Sequence, residues 1–238
     1  MSLSLGESIW ERRGWDADDI LSQRAYIFAV SGFTVLGMLV ASFIAYMTLH
    51  WHPLLFEVIT IGLAMPILGI FIAFMCDQWG VSLFGYFLVV GGIGAICGPT
   101  VNLYESGVVI NALLATCGVS VAMSIVGIII PQSLEHWGGY LFGILTAVVL
   151  VSIARLFFPA SAGPLAPDAD MYSTMWHYLW LGFDYFVAVL FCIYIIFDWN
   201  RALRLPRTLD NAVDCSVAIF LDVVNLFVRI LSIMGRKK

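Results

Sequence analysis

Five acidic residues interrupt otherwise apolar stretches of this sequence: Glu57, Asp184, Asp198, Asp214 and Asp222. Asp222 is the deepest of them, because about ten mostly apolar residues flank it on either side. A charged residue at the centre of a membrane helix costs roughly 2.5–3.5 kcal/mol on insertion scales. Since packing alone does not need such a group, the sequence predicts a functional ionisable site at Asp222. The alternative is a helix–helix hydrogen bond to a neutral neighbour such as Asn225.

The chemistry available to such acids is proton sharing and cation binding. Two carboxylates in a poorly solvated place cannot both ionise, so they share a proton and titrate as a unit. A pair of this kind can sense pH, and its deprotonated oxygens are the hard ligands that Ca²⁺ prefers. Asp198 is one residue from the end of its apolar run. Glu57 and Asp214 lie three residues inside theirs, where an interfacial position accounts for them, and Asp184 lies deeper.

The remaining polar residues argue against catalysis. The four histidines lie at the ends of apolar runs, and neither a GxSxG nor an HExxH pattern occurs. The five cysteines show no metal-ligand spacing. The sequence therefore predicts a protein that is not an enzyme and has no cofactor.

Composition indicates an integral membrane protein. The chain of 238 residues is 61% hydrophobic and 11% charged, whereas soluble domains are about 25% charged. Its 11 basic residues are too few and too scattered to form a face that binds nucleic acid. The expected surroundings are a lipid bilayer.

Runs of about 20 apolar residues predict the membrane-spanning elements. Such runs are too long and continuous for barrel strands, so they indicate helices. The predicted fold is an all-α bundle of seven transmembrane helices, in a membrane domain over 25–234 with a lead-in at 1–24 and a basic tail at 235–238. The predicted spans are 25–49, 54–76, 80–98, 108–130, 137–158, 175–199 and 212–234.

Small residues and one proline suggest how some helices pack. The second half of span three carries four glycines and span four carries small residues such as Ala115 and Gly118, which predicts close packing of these two helices. The span-three glycines are Gly91, Gly92, Gly94 and Gly98. Pro66 predicts a kink in span two.

Basic residues predict the orientation. Arg12, Arg13 and Arg24 precede span one, and Arg201, Arg204 and Arg207 lie between spans six and seven. With seven crossings these regions share one side, which places the N-terminus in the cytoplasm. The basic tail would then lie outside. The alternative is a re-entrant last segment around Asp222 that keeps the tail inside.

Two motifs resemble the transmembrane Bax inhibitor motif (Bax inhibitor-1) family. Phe197-Asp198-Trp199-Asn200 ends span six, and the segment IFLDVVNLF at 219–227 is similar to the family's LYLDxINLF pattern in span seven. The segment LLATCG at 113–118, with Ala122-Met123-Ser124, is similar to a second family stretch. Trp199-Asn200 stands where the family has Thr-Gln, and span two lacks the arginine that some members pair with the span-six aspartate.

The resemblance implies six helices around a central seventh, with Asp198 and Asp222 as a pH-responsive pair that gates a Ca²⁺ leak and contacts the ion. On this hypothesis the transported ions are Ca²⁺ and protons, and Asp214, Asp184 and Glu57 are auxiliary acids. Some bacterial members associate with a membrane protease, so the alternative is a non-conducting protein that modulates such a partner. The predicted location is the bacterial inner membrane, with the endoplasmic reticulum membrane as the alternative.

The span ends leave the partner of Asp198 open. With ends at 199 and 212, Asp222 lies nine residues farther from the turn than Asp198, which is roughly 14 Å of depth at about 1.5 Å per residue. Asp214 is nearly level with Asp198. The resemblance favours Asp222, whereas the depth favours Asp214.

Overall fold

Seven helices in the computed structural model are long and apolar enough to cross a membrane. The structure describes residues 20–76, 78–155 and 171–235, without the side chains of 172 and 173, and this part of the chain contains no β-strand. The predicted all-α fold with seven spans is therefore confirmed. The helices are α1 (Gln23–Met47), α2 (Leu55–Met75), α3 (Trp79–Asn102), α4 (Ser106–Ile129), α5 (Gly138–Ala154, after a 3₁₀ turn at Glu135–Trp137), α6 (Met171–Ala202) and α7 (Leu209–Met234).

Several predicted features fall outside the described residues. They are most of the lead-in 1–24 with Arg12 and Arg13, most of the loop after span five, and the last three residues of the basic tail. Helix α1 begins within the predicted lead-in, where the Ser22 hydroxyl accepts a hydrogen bond from the Ala25 amide and caps the helix.

The last segment is one unbroken helix. At about 1.5 Å per residue, the 26 residues of α7 extend roughly 39 Å, which exceeds the hydrocarbon thickness of about 30 Å. A re-entrant segment would turn back inside the membrane and interrupt the helix, so α7 favours a full seventh crossing. All eight residues from 210 to 217 are buried. Burial on every face is what a central helix requires.

The chain divides into two compact units. The first contains residues 1–103 and 201–221, and therefore α1, α2, α3 and the first half of α7. The second contains residues 104–200 and 222–238, and therefore α4, α5, most of α6 and the second half of α7.

In the first unit, glycines of α3 allow close contact with α1 and α2. A Cβ on Gly92 would lie 2.5 Å from the Ile61 carbonyl oxygen and 2.8 Å from the Pro66 ring, both in α2. A Cβ on Gly94 would lie 2.9 Å from the Ala41 carbonyl oxygen in α1. The expectation that these glycines pack on span four was wrong. Their spacing shows that they lie close together along α3, but which neighbouring helix they face depends on how α3 is rotated.

The helix α2 contains a π-helical segment at Val58–Ala64, immediately before Pro66. The Met65 amide donates to the Thr60 carbonyl, five residues earlier. Proline lacks an amide hydrogen and crowds the carbonyl four residues before it, and a wider turn relieves that crowding. The irregularity predicted from Pro66 therefore takes the form of a π-helical segment.

Candidate proton-sharing site

Two helices of the second unit each supply one acid to the candidate site. The apolar run Tyr194–Phe197 forms the last turns of α6 and places Asp198 four residues before the helix ends. Asp222 lies 13 residues into α7, in the middle of its apolar run. Asp222 is 6% exposed, whereas Asp198 is half-buried. The Asp222 and Asp198 side chains form a hydrogen bond with each other.

This hydrogen bond requires a proton. An ionised carboxylate only accepts hydrogen bonds, so one of two bonded carboxyl groups must be protonated and act as the donor. The second oxygen of Asp222, Oδ2, has no hydrogen-bond partner among the described residues. The arrangement therefore holds at least one proton between two acids and keeps a buried carboxyl oxygen available to another ligand.

The acid beside Asp198 is thus Asp222, nine residues farther from the connecting turn. The depth comparison, which favoured Asp214, therefore did not identify the neighbour of Asp198. Asp214 belongs to the first unit, where it is 1% exposed and lies in electrostatic range of Tyr26. It is deeply buried within the protein. Its proposed auxiliary role stays a prediction.

A buried asparagine fixes the end of α6 beside the pair. The Asn200 side-chain amide donates to the carbonyl oxygens of Ile130, at 3.0 Å, and Gln132, at 3.1 Å. Its Oδ1 accepts from the Leu134 amide at 3.1 Å. Asn200 is 2% exposed. Its side chain therefore ties the connection between α4 and α5 to the helix turn that carries Asp198.

Close packing on α6 supports the same arrangement. A Cβ on Gly127 in α4 would lie 2.6 Å from the Ile196 carbonyl oxygen and 2.8 Å from the Trp199 Cβ. The backbones of α4 and α6 therefore approach each other closely, one turn from Asp198. Tyr194 lies one turn before Asp198 and in electrostatic range of both acids.

Asp184 belongs to a separate group of charges in the second unit. Its Oδ1 accepts from Arg229 Nη1 at 2.8 Å and from Arg155 Nη1 at 3.1 Å. Its Oδ2 accepts from the Ser232 hydroxyl at 2.8 Å. Asp184 and Asp198 are 14 residues apart in α6, which is roughly 21 Å along the helix. Asp184 is therefore distant from the pair.

Glu57 lies in the first turn of α2, where its Oε2 accepts from the Leu54 amide at 2.8 Å. This bond satisfies one of the amides that a helix start leaves without an intrahelical partner. The position agrees with the interfacial interpretation of Glu57.

Sequence reasoning missed three sets of polar contacts. They are the Asn200 bonds, the ion pairs of Asp184 with Arg155 and Arg229, and the 2.6 Å hydrogen bond from Ser82 to the buried Asp210 in the first unit. The available signal was a polar residue within or at the edge of an apolar run. Such a signal marks a group that needs a partner, but it does not identify the partner.

The described residues contain no group of three or more histidine, cysteine or acidic side chains that could hold a metal ion. Ca²⁺ takes six to eight oxygen ligands, and the pair supplies only two carboxyl groups. Contact of Asp198 and Asp222 with Ca²⁺ stays a prediction.

A protein-family model matches most of this chain. The family model described as inhibitor of apoptosis-promoting Bax1 matches residues 23–238. The chain belongs to the Bax inhibitor-1 family. Membership confirms the resemblance that the span-six and span-seven motifs indicated, and it agrees with a multi-pass membrane protein.

Relatives of this Bax inhibitor-1 family member occur in eukaryotes and bacteria. Bax inhibitor 1 of Schizosaccharomyces pombe is 27% identical over 142 residues, which is 60% of this chain and 47% of the relative. The BI1-like protein of Arabidopsis thaliana is 27% identical over 151 residues, 60% of this chain and 49% of the relative. A membrane protein of Vibrio cholerae is 25% identical over 154 residues, 63% and 61% of the two chains. The chain thus spans about half the length of the two eukaryotic relatives.

Proposed function

We propose that this Bax inhibitor-1 family member is a Ca²⁺ leak channel whose conductance depends on the proton held by Asp198 and Asp222. The observation that carries the proposal is the hydrogen bond between these carboxyl groups, one of which is 6% exposed within a membrane-spanning helix. An isolated acid at this depth is unfavourable. A shared proton removes one of the two charges and so reduces that cost.

The proton would act as the control element. While it is shared, the hydrogen bond holds α6 and α7 together at this level and the pair carries at most one negative charge. When it leaves, two like charges at hydrogen-bonding distance repel each other. The four carboxylate oxygens then become ligands for a hard cation such as Ca²⁺. Conductance should therefore rise as the pair loses its proton, and Ca²⁺ entering the site should displace the proton.

Asn200 would position the acid that α6 contributes. Its three hydrogen bonds to the α4–α5 connection hold the last turn of α6 in place. Separation of the pair would then be taken up by α7 rather than by α6. The role is positional, since the Asn200 amide bonds the α4–α5 connection and its helix turn carries Asp198.

We place the protein in a bacterial inner membrane with its N-terminus in the cytoplasm, and we propose no enzymatic activity. Arg24 before α1 and the arginines of the α6–α7 turn would lie on the cytoplasmic side. The endoplasmic reticulum membrane is the alternative location.

The test is Ca²⁺ flux into proteoliposomes that contain the purified protein, measured from mildly acidic to mildly alkaline pH. Wild-type flux should rise with pH, and Asp222→Asn should remove this dependence. Glu57→Gln is the matched control, because it also removes a carboxylate but keeps an oxygen for the Leu54 amide. If Asp222→Asn leaves both flux and pH dependence unchanged, the gating proposal is wrong. If wild-type protein passes no Ca²⁺ while a membrane protease co-purifies with it, the non-conducting alternative gains support.

A further inference from the structure

One carboxylate and two guanidinium groups meet at the end of the second unit that lies away from the acid pair. Arg155 and Arg229 both donate to Asp184 Oδ1, and the Ser232 hydroxyl donates to Asp184 Oδ2. Arg229 Nη2 also lies 3.4 Å from the Ser152 hydroxyl. Both carboxylate oxygens of Asp184 therefore accept hydrogen bonds, and its side chain is 4% exposed.

The charges of this cluster do not balance. Two guanidinium groups face one carboxylate, and the serines are neutral. Tyr104, in electrostatic range of Asp184 and hydrogen-bonded to Ser232, adds no negative charge. Burial, and then the charge of Asp184, raise the pKa of the Tyr104 hydroxyl above its ordinary value, so the group stays protonated. The described cluster carries one surplus positive charge.

Arg155 is the member able to bind a further anion. Its Nη1 contacts Asp184, and its guanidinium carbon lies 5.1 Å from the centre of the Trp180 ring. Its side chain is 31% exposed, against 20% for Arg229. An arginine has five N–H donors in a planar fork. The described contacts of Arg155 therefore leave donors available on its Nη2 and Nε.

Helix lengths lead us to place the cluster near the level of lipid headgroups. A hydrocarbon layer of about 30 Å corresponds to about 20 helical residues. Asp184 lies roughly 21 Å along α6 from Asp198, which bonds to Asp222 in the middle of α7, and this exceeds half of that thickness. Arg155 immediately follows the end of α5, and Arg229 lies five residues before the end of α7. Trp176 and Trp180 stack on each other just beyond this level, and tryptophans are enriched at membrane interfaces.

We propose that Arg155, beside Arg229, binds a phosphate group here, and that its source is the headgroup of an anionic phospholipid. A phosphate would neutralise the surplus charge, accept bidentate hydrogen bonds from Arg155, and arrive at the correct depth as part of the bilayer. Free phosphate has the same chemistry but no reason to concentrate at this level. The inference does not depend on Ca²⁺ conduction.

Native mass spectrometry of the detergent-purified full chain tests the site, with phosphatidylglycerol, phosphatidylcholine and inorganic phosphate as separate probes. Wild-type protein should retain phosphatidylglycerol in preference to phosphatidylcholine. Arg155→Gln should bind phosphatidylglycerol about tenfold more weakly, because one charge-assisted contact is lost. Arg24→Gln removes an exposed arginine at the start of α1 and should leave binding unchanged.

Arg155→Lys keeps the charge but not the fork, so intermediate binding is expected, and this variant covers the case in which Arg155→Gln does not fold. Equal phosphatidylglycerol binding by wild type and Arg155→Gln would overturn the site. Binding of inorganic phosphate that excludes the lipid would overturn the lipid source. Ca²⁺ flux can fail in these samples without affecting either result.

Discussion

The carboxyl of Asp222 in α7 forms a hydrogen bond with the carboxyl of Asp198 in α6. Two acids in this geometry hold at least one proton between them. The bond joins the second half of α7 to the end of α6, within one compact unit of the chain. Any event that removes the shared proton must therefore change both the charge and the contact between these helices.

The shared proton should be visible by infrared spectroscopy. At neutral pH the wild-type protein should show the carbonyl stretch of a protonated carboxylic acid, because the bonded pair requires one. Asp222→Asn should remove the part of the band that the pair contributes, since an asparagine amide can donate to an ionised Asp198 without an added proton. Glu57→Gln should retain it. Absence of the band from wild-type protein would contradict a shared proton.

Asn200→Ala should destabilise the protein and disturb the pair. The change leaves the Ile130 and Gln132 carbonyls and the Leu134 amide without this partner, at a cost of about 1–3 kcal/mol for each buried group that finds no substitute. Thermal unfolding in detergent would measure the loss. Asn200→Gln keeps the same amide chemistry and should recover part of it. Equal unfolding temperatures for Asn200→Ala and Asn200→Gln would show that the hydrogen bonds of Asn200 do not account for its contribution to stability.

Arg229→Met should cost about 2–3 kcal/mol of unfolding free energy. Removing one partner of a buried ion pair leaves its charge uncompensated, but Arg155 continues to contact Asp184, which limits the loss. Chemical denaturation in detergent micelles measures this loss of unfolding free energy. The control is the double variant Asp184→Asn with Arg229→Met, which should lose less than the sum of the single changes. Strict additivity would argue against an energetic link between the two residues.

Gly85→Ala should destabilise the first unit by about 1–3 kcal/mol through overpacking. The new Cβ would lie 2.6 Å from the Gly69 carbonyl oxygen and 2.8 Å from the Ala73 amide nitrogen, both rigid backbone atoms of α2. Gly80→Ala in the same helix meets nothing within 4 Å and should be neutral or slightly stabilising. Thermal unfolding should give a lower midpoint temperature for Gly85→Ala than for Gly80→Ala. Equal behaviour would mean that α2 and α3 do not approach so closely.

Ionisation of Tyr104 should lower the free energy of unfolding in alkaline solution. Its pKa is raised in the folded protein, so the folded state holds the proton more tightly than the unfolded state. The resulting stabilisation is complete below the ordinary tyrosine pKa and is lost as pH rises through the folded pKa. Unfolding temperature measured against alkaline pH should therefore decline less steeply in Tyr104→Phe than in wild type. Parallel declines would show that Tyr104 does not contribute.

The sequence by itself determined the number of spans, their approximate ends and the acids worth attention. Lipid imposes these features directly, since a crossing needs about 20 apolar residues and every acid within it stands out. The motif around Asp222 also identified the family before any geometry was known.

Only the tertiary structure decided which groups meet. The partner of Asp198 is Asp222, the glycines of α3 contact α1 and α2, and Asp184 joins two arginines from other helices. Each of these contacts depends on the rotation, tilt and relative depth of helices. Those quantities arise from packing over whole helix faces, and a linear sequence of nearly uniform hydrophobicity does not encode them in a form that spacing alone reveals.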